Sequence, residues 1–207
     1  MNLDSNIPTT PFIFARRITN LTDARYFAAK EAAYLGFMME PGVEGYLDPI
    51  YMQAMREWVE GPAIIGEYHS PAPADNINEA IAFYGLDGVL LPFSNILPLI
   101  QSQNVWAKVS VDTPDLANIM AQNNQYVSGW VLELPADNLS WLPLAEKIQP
   151  ICAQYSIVLQ YDGASEEITE VMSAINPAGF GLRGGEEELV GVKSFDEVDA
   201  VFDLLGY

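Results

Sequence analysis

The 207 residues carry 28 Asp and Glu against 9 Lys and Arg, a formal charge of −19, and half of them are hydrophobic. That balance excludes a basic nucleic-acid-binding surface, which needs clustered Lys and Arg, and disfavours an anionic membrane surface as partner. Cys152 is the single cysteine and His69 the single histidine, so neither an internal disulfide nor a Cys/His zinc site can form.

The opening MNLDSNIPTTPF lacks the basic and apolar regions of a signal peptide. No apolar run approaches the ~20 residues that cross a bilayer, and a cytoplasmic protein is expected. From there short apolar runs alternate with amphipathic stretches. Phe12-Ile13-Phe14-Ala15 reads as a first strand, followed by a helix with Thr22 and Asp23 as its cap. Residues 34–39 form a second strand, and Pro49 starts a helix at its first position. Residues 63–67 are a third strand, before a helix capped by Asp75. Residues 87–91 are a fourth, before a short helix over 95–102 weakened by Pro98. Residues 105–109 are a fifth strand, with Thr113 and Pro114 opening the next helix. Residues 129–134 are a sixth, followed by a helix over 142–154. Residues 156–160 are a seventh, before a helix capped by Ser165. Residues 178–182 are an eighth, before a final helix capped by Ser194.

Eight alternating units with nearly continuous apolar strands imply an α/β fold with a parallel, covered sheet. The count points to a single-domain (β/α)8 TIM barrel over residues 1–207, with an open doubly wound sheet as the rival. In such a barrel, function sits at the C-terminal ends of the strands.

The segment ARRITNLTDARYFAAKEAAYLGFMMEPGVEGYLDP resembles phosphoribosylanthranilate isomerase. That family has Lys-Ile-Cys-Gly-Ile-Thr, then Asn-Leu-x-Asp-Ala, then Leu-Gly-Phe and a loop ending Arg-Tyr-x-x-Pro. Ile18, Thr19, Asn20, Leu21, Asp23 and Ala24 match, as do Leu35, Gly36, Phe37, Pro41, Tyr46 and Pro49. Gly191-Val192-Lys193 before the last helix also fits. The resemblance implies an Amadori-type rearrangement in tryptophan biosynthesis. It would use a Cys base after the first strand, an Asp acid after the sixth, an Arg for the anthranilate carboxylate and glycine-rich turns for phosphate. No cofactor or metal is expected.

The chain departs from that pattern where the chemistry lies. Arg16 stands at the base position and cannot accept a proton near neutral pH; Arg17 replaces the following Gly. The carboxylate-binding Arg falls on Gly45. Asp162-Gly163 stand at the first phosphate turn, and Leu182-Arg183 replace the paired serines of the second, before Gly184-Gly185. Only the acid keeps its type, as Glu133. Losing the base costs ~10²–10⁴ in rate. The expectation is therefore a divergent barrel without isomerase activity. It would bind a small anionic metabolite through Arg16, Arg17 and Arg183, with Asp162, Gly163, Gly184 and Gly185 around it. A retained isomerase with a rebuilt base and a non-catalytic partner-binding barrel, such as a homodimer, stand as alternatives. Alternation along the first strand turns Arg16 inward with Phe14, where burial demands a partner: Glu133, Asp162, Glu186 or a bound anion. An internal ion-pair network replacing the active site is the plain reading of the same residues. Glu186-Glu187-Glu188 read as a solvated loop, Asp112 as a loop residue, His69 as exposed, and Cys152, Trp106, Trp130 and Trp141 as packing residues.

Overall fold

The computed structural model describes residues 10–94, 97–134, 140–184, 187–189, 192–193 and 195–207. Eight parallel strands close into a barrel: β1 (Phe12–Arg16), β2 (Tyr34–Met38), β3 (Ala63–Glu67), β4 (Gly88–Pro92), β5 (Asn104–Ser110), β6 (Gly129–Glu133), β7 (Ile157–Gln160) and β8 (Gly179–Arg183). Closure runs through five registered pairs, from Phe12 opposite Gly179 to Arg16 opposite Arg183. The helices are α1 (Leu21–Ala29), α2 (Pro49–Arg56), α3 (Ala74–Tyr84), α4 (Leu116–Asn123), α5 (Ala145–Cys152), α6 (Ile168–Ile175) and α7 (Asp196–Leu205). An antiparallel pair, β9 (Glu187–Leu189) and β10 (Val192–Lys193), follows β8 and has no counterpart in the expected pattern.

Alternation along each strand sorts the side chains. Outward residues such as Ile13, Leu35, Ile64 and Leu132 join the main core between strands and helices. Inward residues Phe14, Ile65, Leu90, Trp106, Val131 and Val158 form a second core inside the barrel. Phe14, Tyr34 and Trp106 meet there with ring centroids 5.2–5.9 Å apart, so the barrel is filled rather than hollow.

Several helix starts differ from expectation, each for a local reason. Asn20 caps α1, its side chain accepting the Asp23 N–H at 2.9 Å, so Thr22 and Asp23 lie inside the first turn. Pro49 opens α2 as expected, and Asp48 caps it. Pro73 stands before α3, leaving Asp75 in its first turn. Asp115 adopts a left-handed φ of 57°, which breaks the path from Thr113 and Pro114 and delays α4 to Leu116. A 3₁₀ turn at Ser165–Glu167 likewise delays α6. Between β4 and β5 the described residues hold only the 3₁₀ turn Leu97–Leu99 in place of a helix, at the proline that lacks an N–H to donate. Ser194, the expected cap of α7, lies outside the described residues. Among the described residues no helix is long and apolar enough to cross a membrane.

The inner aromatic cluster carries a measurable share of stability. Phe14→Ala, at a position with no solvent exposure, is expected to lower unfolding free energy by about 3–5 kcal/mol in urea titration.

Candidate functional site

Above the inner aromatic core, the barrel interior turns polar. Arg16, Glu67, Lys108, Glu133 and Gln160 occupy the inward positions two residues after Phe14, Ile65, Trp106, Val131 and Val158. All five lie toward the C-terminal ends of β1, β3, β5, β6 and β7, the end of a (β/α)8 barrel where chemistry resides.

Arg16 is the centre of this layer and is only 2% exposed. Its Nε and Nη2 donate to Glu67 Oε2 at 3.2 and 3.0 Å. Its Nη1 donates to Glu133 Oε1 at 3.0 Å and to Gln160 Oε1 at 2.6 Å. The other Glu67 oxygen accepts the Arg17 backbone N–H at 2.8 Å. Gln160 passes the network on, donating to Asp162 Oδ1 at 3.0 Å, and Asp162 pairs with Arg183 Nε at 3.3 Å. Two glycines make room. A side chain at Gly36 would collide with the Glu67 carboxylate, and a Cβ at Gly181 would lie 3.2 Å from Arg16 Cδ.

The electrostatics follow from this packing. Burial opposes the Arg16 charge, but the Glu67 and Glu133 carboxylates more than offset it and hold the guanidinium protonated. Burial likewise pushes Glu133 up, yet Arg16 and Lys108 pull it down further, so its carboxyl titrates below its ordinary range. Lys108 moves the other way: desolvation lowers it, Glu133 opposes, and Arg16 adds to the lowering.

The residues expected from sequence reach different places. Arg16 is buried and inward, and Glu133 is its partner, as expected. Asp162 does not touch Arg16; it meets Gln160 and Arg183, so it acts as a counter-charge and offers nothing to an anion. Arg17 takes the chain out of the strand with a φ of 54°, and its guanidinium faces Glu44 at 3.7 Å while its charge still bears on Glu133 and Lys108. Gly163 lies half-buried in the turn after β7. Gly184 is backed by a buried carboxylate: a Cβ there would sit 2.5 Å from Asp23 Oδ2, which opposes a phosphate against its backbone. Gly185 and Glu186 lie outside the described residues. Arg183 is about half exposed beside the mouth.

Glu67, Gln160 and Lys108 escaped the sequence reading. Each is a polar residue within an otherwise apolar stretch of strand, in register with an inward neighbour. Strand parity alone would have marked them. His69 is exposed, and its backbone N–H donates to Glu40 at 3.0 Å. Burial pushes the Cys152 thiol up to about 12, an inert packing group. Trp106, Trp130 and Trp141 are buried. Among the described residues no group of three His, Cys, Asp or Glu is placed to hold a metal ion.

The chain matches no protein-family model and no curated protein sequence. Solved structures do match it. Phosphoribosylanthranilate isomerase from Thermus thermophilus aligns at a TM-score of 0.75 and 22% identity, covering 94% of this chain and 98% of that one. Monomers of the dimeric phosphoribosylanthranilate isomerase from Thermotoga maritima align at a TM-score of 0.68 and 19% identity, with the same coverage. A 3-hexulose-6-phosphate synthase aligns at 0.69 and 11%, covering 94% and 99%. The resemblance at the first two strands thus extends to the whole fold: this is a (β/α)8 barrel of the architecture seen in phosphoribosylanthranilate isomerases.

The layer yields two tests. Arg16→Met strands Glu67, itself 1% exposed, and is expected to cost about 3–5 kcal/mol of unfolding free energy; adding Glu67→Gln restores much of it in a double-mutant cycle. For pH, Glu133 binds its proton less readily in the folded than in the unfolded chain. Its contribution is complete above the ordinary carboxylate pKa of 4.5 and is lost as pH falls through the lower folded value. Glu133→Gln is therefore expected to flatten the acid limb of a melting-temperature profile.

Proposed function

We propose that this barrel has lost isomerase chemistry and binds a small anionic metabolite, bearing a carboxylate or phosphate, at its C-terminal mouth. The observation that carries the first half is the Arg16 cluster. Isomerisation moves a proton off one carbon and onto another, which needs an acceptor and a donor. At the acceptor position stands a guanidinium that is protonated and already engaged by Glu67, Glu133 and Gln160. At the donor position Glu133 is held ionised and has no proton to give near neutral pH.

Anion binding is supported by charge placement. Arg16, Arg17, Lys108 and Arg183 are four of nine basic residues in a chain of charge −19, and they gather at one end of the barrel. Because four of Arg16's five N–H donors are engaged, Arg183 is the anchor with more free donor capacity: its described contact is the single one to Asp162. The isomerase and the synthase that share the fold are both named for phosphorylated sugars.

A partner-binding barrel is favoured by a different observation. Ile50 and Tyr51 on α2, Trp58 just beyond it and Phe83 on α3 are mostly exposed, and the two helices are joined by a Gln53–Phe83 hydrogen bond. The Thermotoga relative is described as dimeric. Light scattering is expected to show association that Phe83→Asp abolishes if this face is used; a monomer at high concentration removes the homodimer.

Two assays test the main reading. Pure protein with phosphoribosyl anthranilate is expected to give no conversion above the uncatalysed rate, and turnover at ordinary enzyme rates would refute the loss of chemistry. Inorganic phosphate is expected to raise the melting temperature of the wild type but not of Arg183→Gln; an absent shift in the wild type removes the anion site.

A further inference from the structure

We propose that Lys108 is a carbonyl-condensing amine, which forms a Schiff base with the aldehyde or ketone carbon of a small substrate entering the mouth. The inference goes beyond the anion reading and does not depend on it, because condensation requires a carbonyl carbon and not a charge.

Lys108 lies on β5 directly after the packed interior, two residues beyond Trp106, and is 8% exposed. Its surroundings contain two carboxylates, yet Arg16 has taken both. Glu67 and Glu133 close on the guanidinium, and among the described residues no hydrogen bond or ion pair reaches Lys108 Nζ. The other described lysines are satisfied: Lys30 Nζ meets Asp199 Oδ1 at 2.6 Å, and Lys147 Nζ donates to the Val111 carbonyl at 2.7 Å. A largely buried lysine side chain with no ion-pair partner gives up its proton more readily than one at the surface. Desolvation, Arg16 and Arg17 push in that direction, against the pull of Glu133 and Glu67. A neutral amine in a sheltered site is a nucleophile for carbonyl carbon.

A second unsatisfied group lies nearby. The strand position opposite Lys108 is Pro92, and the next residue, Phe93, donates its N–H to the Lys108 carbonyl at 2.9 Å. The following Ser94 hydroxyl is buried without a hydrogen-bond partner. Two polar side chains at the ends of neighbouring strands are thus left unpaired, in a layer whose other members are tightly bonded.

The chemistry balances without any co-reactant. The Nζ lone pair forms a C–N bond to the carbonyl carbon, giving a carbinolamine. The C–O bond then breaks, and the oxygen leaves as water with the two hydrogens that the amine gives up. The products are one imine and one water. Glu133, one third exposed on the adjacent strand β6, is the carboxylate whose charge acts most strongly on Lys108.

Reductive trapping tests this. The intact chain is incubated at pH 7 with glycolaldehyde and sodium cyanoborohydride, and early label is mapped by peptide mass spectrometry over the four lysines, Lys30, Lys108, Lys147 and Lys193. Lys108 is expected to take up label at least about tenfold faster than Lys30 or Lys147, a preference that urea unfolding erases. Burial alone predicts the reverse order. If Lys108 labels at the same rate as the others, or more slowly, the proposal is overturned. The wild-type ratio decides the matter even if Lys108→Met fails to fold, and it is blind to whether phosphate binds at Arg183.

Discussion

A guanidinium inside a closed barrel must find its counter-charges within a few ångströms, and that requirement organises the whole upper end of this molecule. Arg16 obtains them from β3 and β6, with an amide acceptor from β7, and none of these strands neighbours β1 in the sheet. Backbone ladders bind each strand only to the next. The Arg16 cluster adds bonds across the lumen, so the mouth is cross-braced as well as closed. Arg16 and Glu67 are buried, so each bond counts for more than it would at the surface, and so would each one missing.

The same bonds decide what chemistry the mouth can host. A carboxylate that satisfies an arginine is held ionised, and an arginine with four of its five donors engaged has little left for a ligand. Glu133 and Arg16 are therefore structural first. What that pairing leaves over is Lys108 and Arg183, which differ in kind: one is mostly buried with no ion pair among the described residues, the other half exposed beside Asp162.

Much of the architecture could be read from the chain itself. Eight apolar runs separated by amphipathic stretches require a covered parallel sheet, and that count closes into a barrel. Helix starts were less legible. The expected caps at Asp23, Asp75, Thr113 and Ser165 carry suitable side chains, but Asn20, Pro73, Asp115 and a 3₁₀ turn set the backbone instead. Propensity names residues able to cap, whereas the path of the preceding loop selects which one does. At the site, alternation turned Arg16 inward, and the resemblance at the acid position singled out Glu133. Glu67 went unseen because nothing local in AIIGE marks it as a partner for a residue 51 positions earlier. Such a pairing exists only once the barrel is closed.

Gly36 and Gly181 carry a wider consequence. Each is bare because a neighbour's polar group fills the volume its side chain would need, Glu67 in the first case and Arg16 with Gln160 in the second. Charge and vacancy are therefore coupled, and neither can change alone: removing the guanidinium at position 16 would strand a buried carboxylate, and a side chain added at Gly36 would evict that same carboxylate.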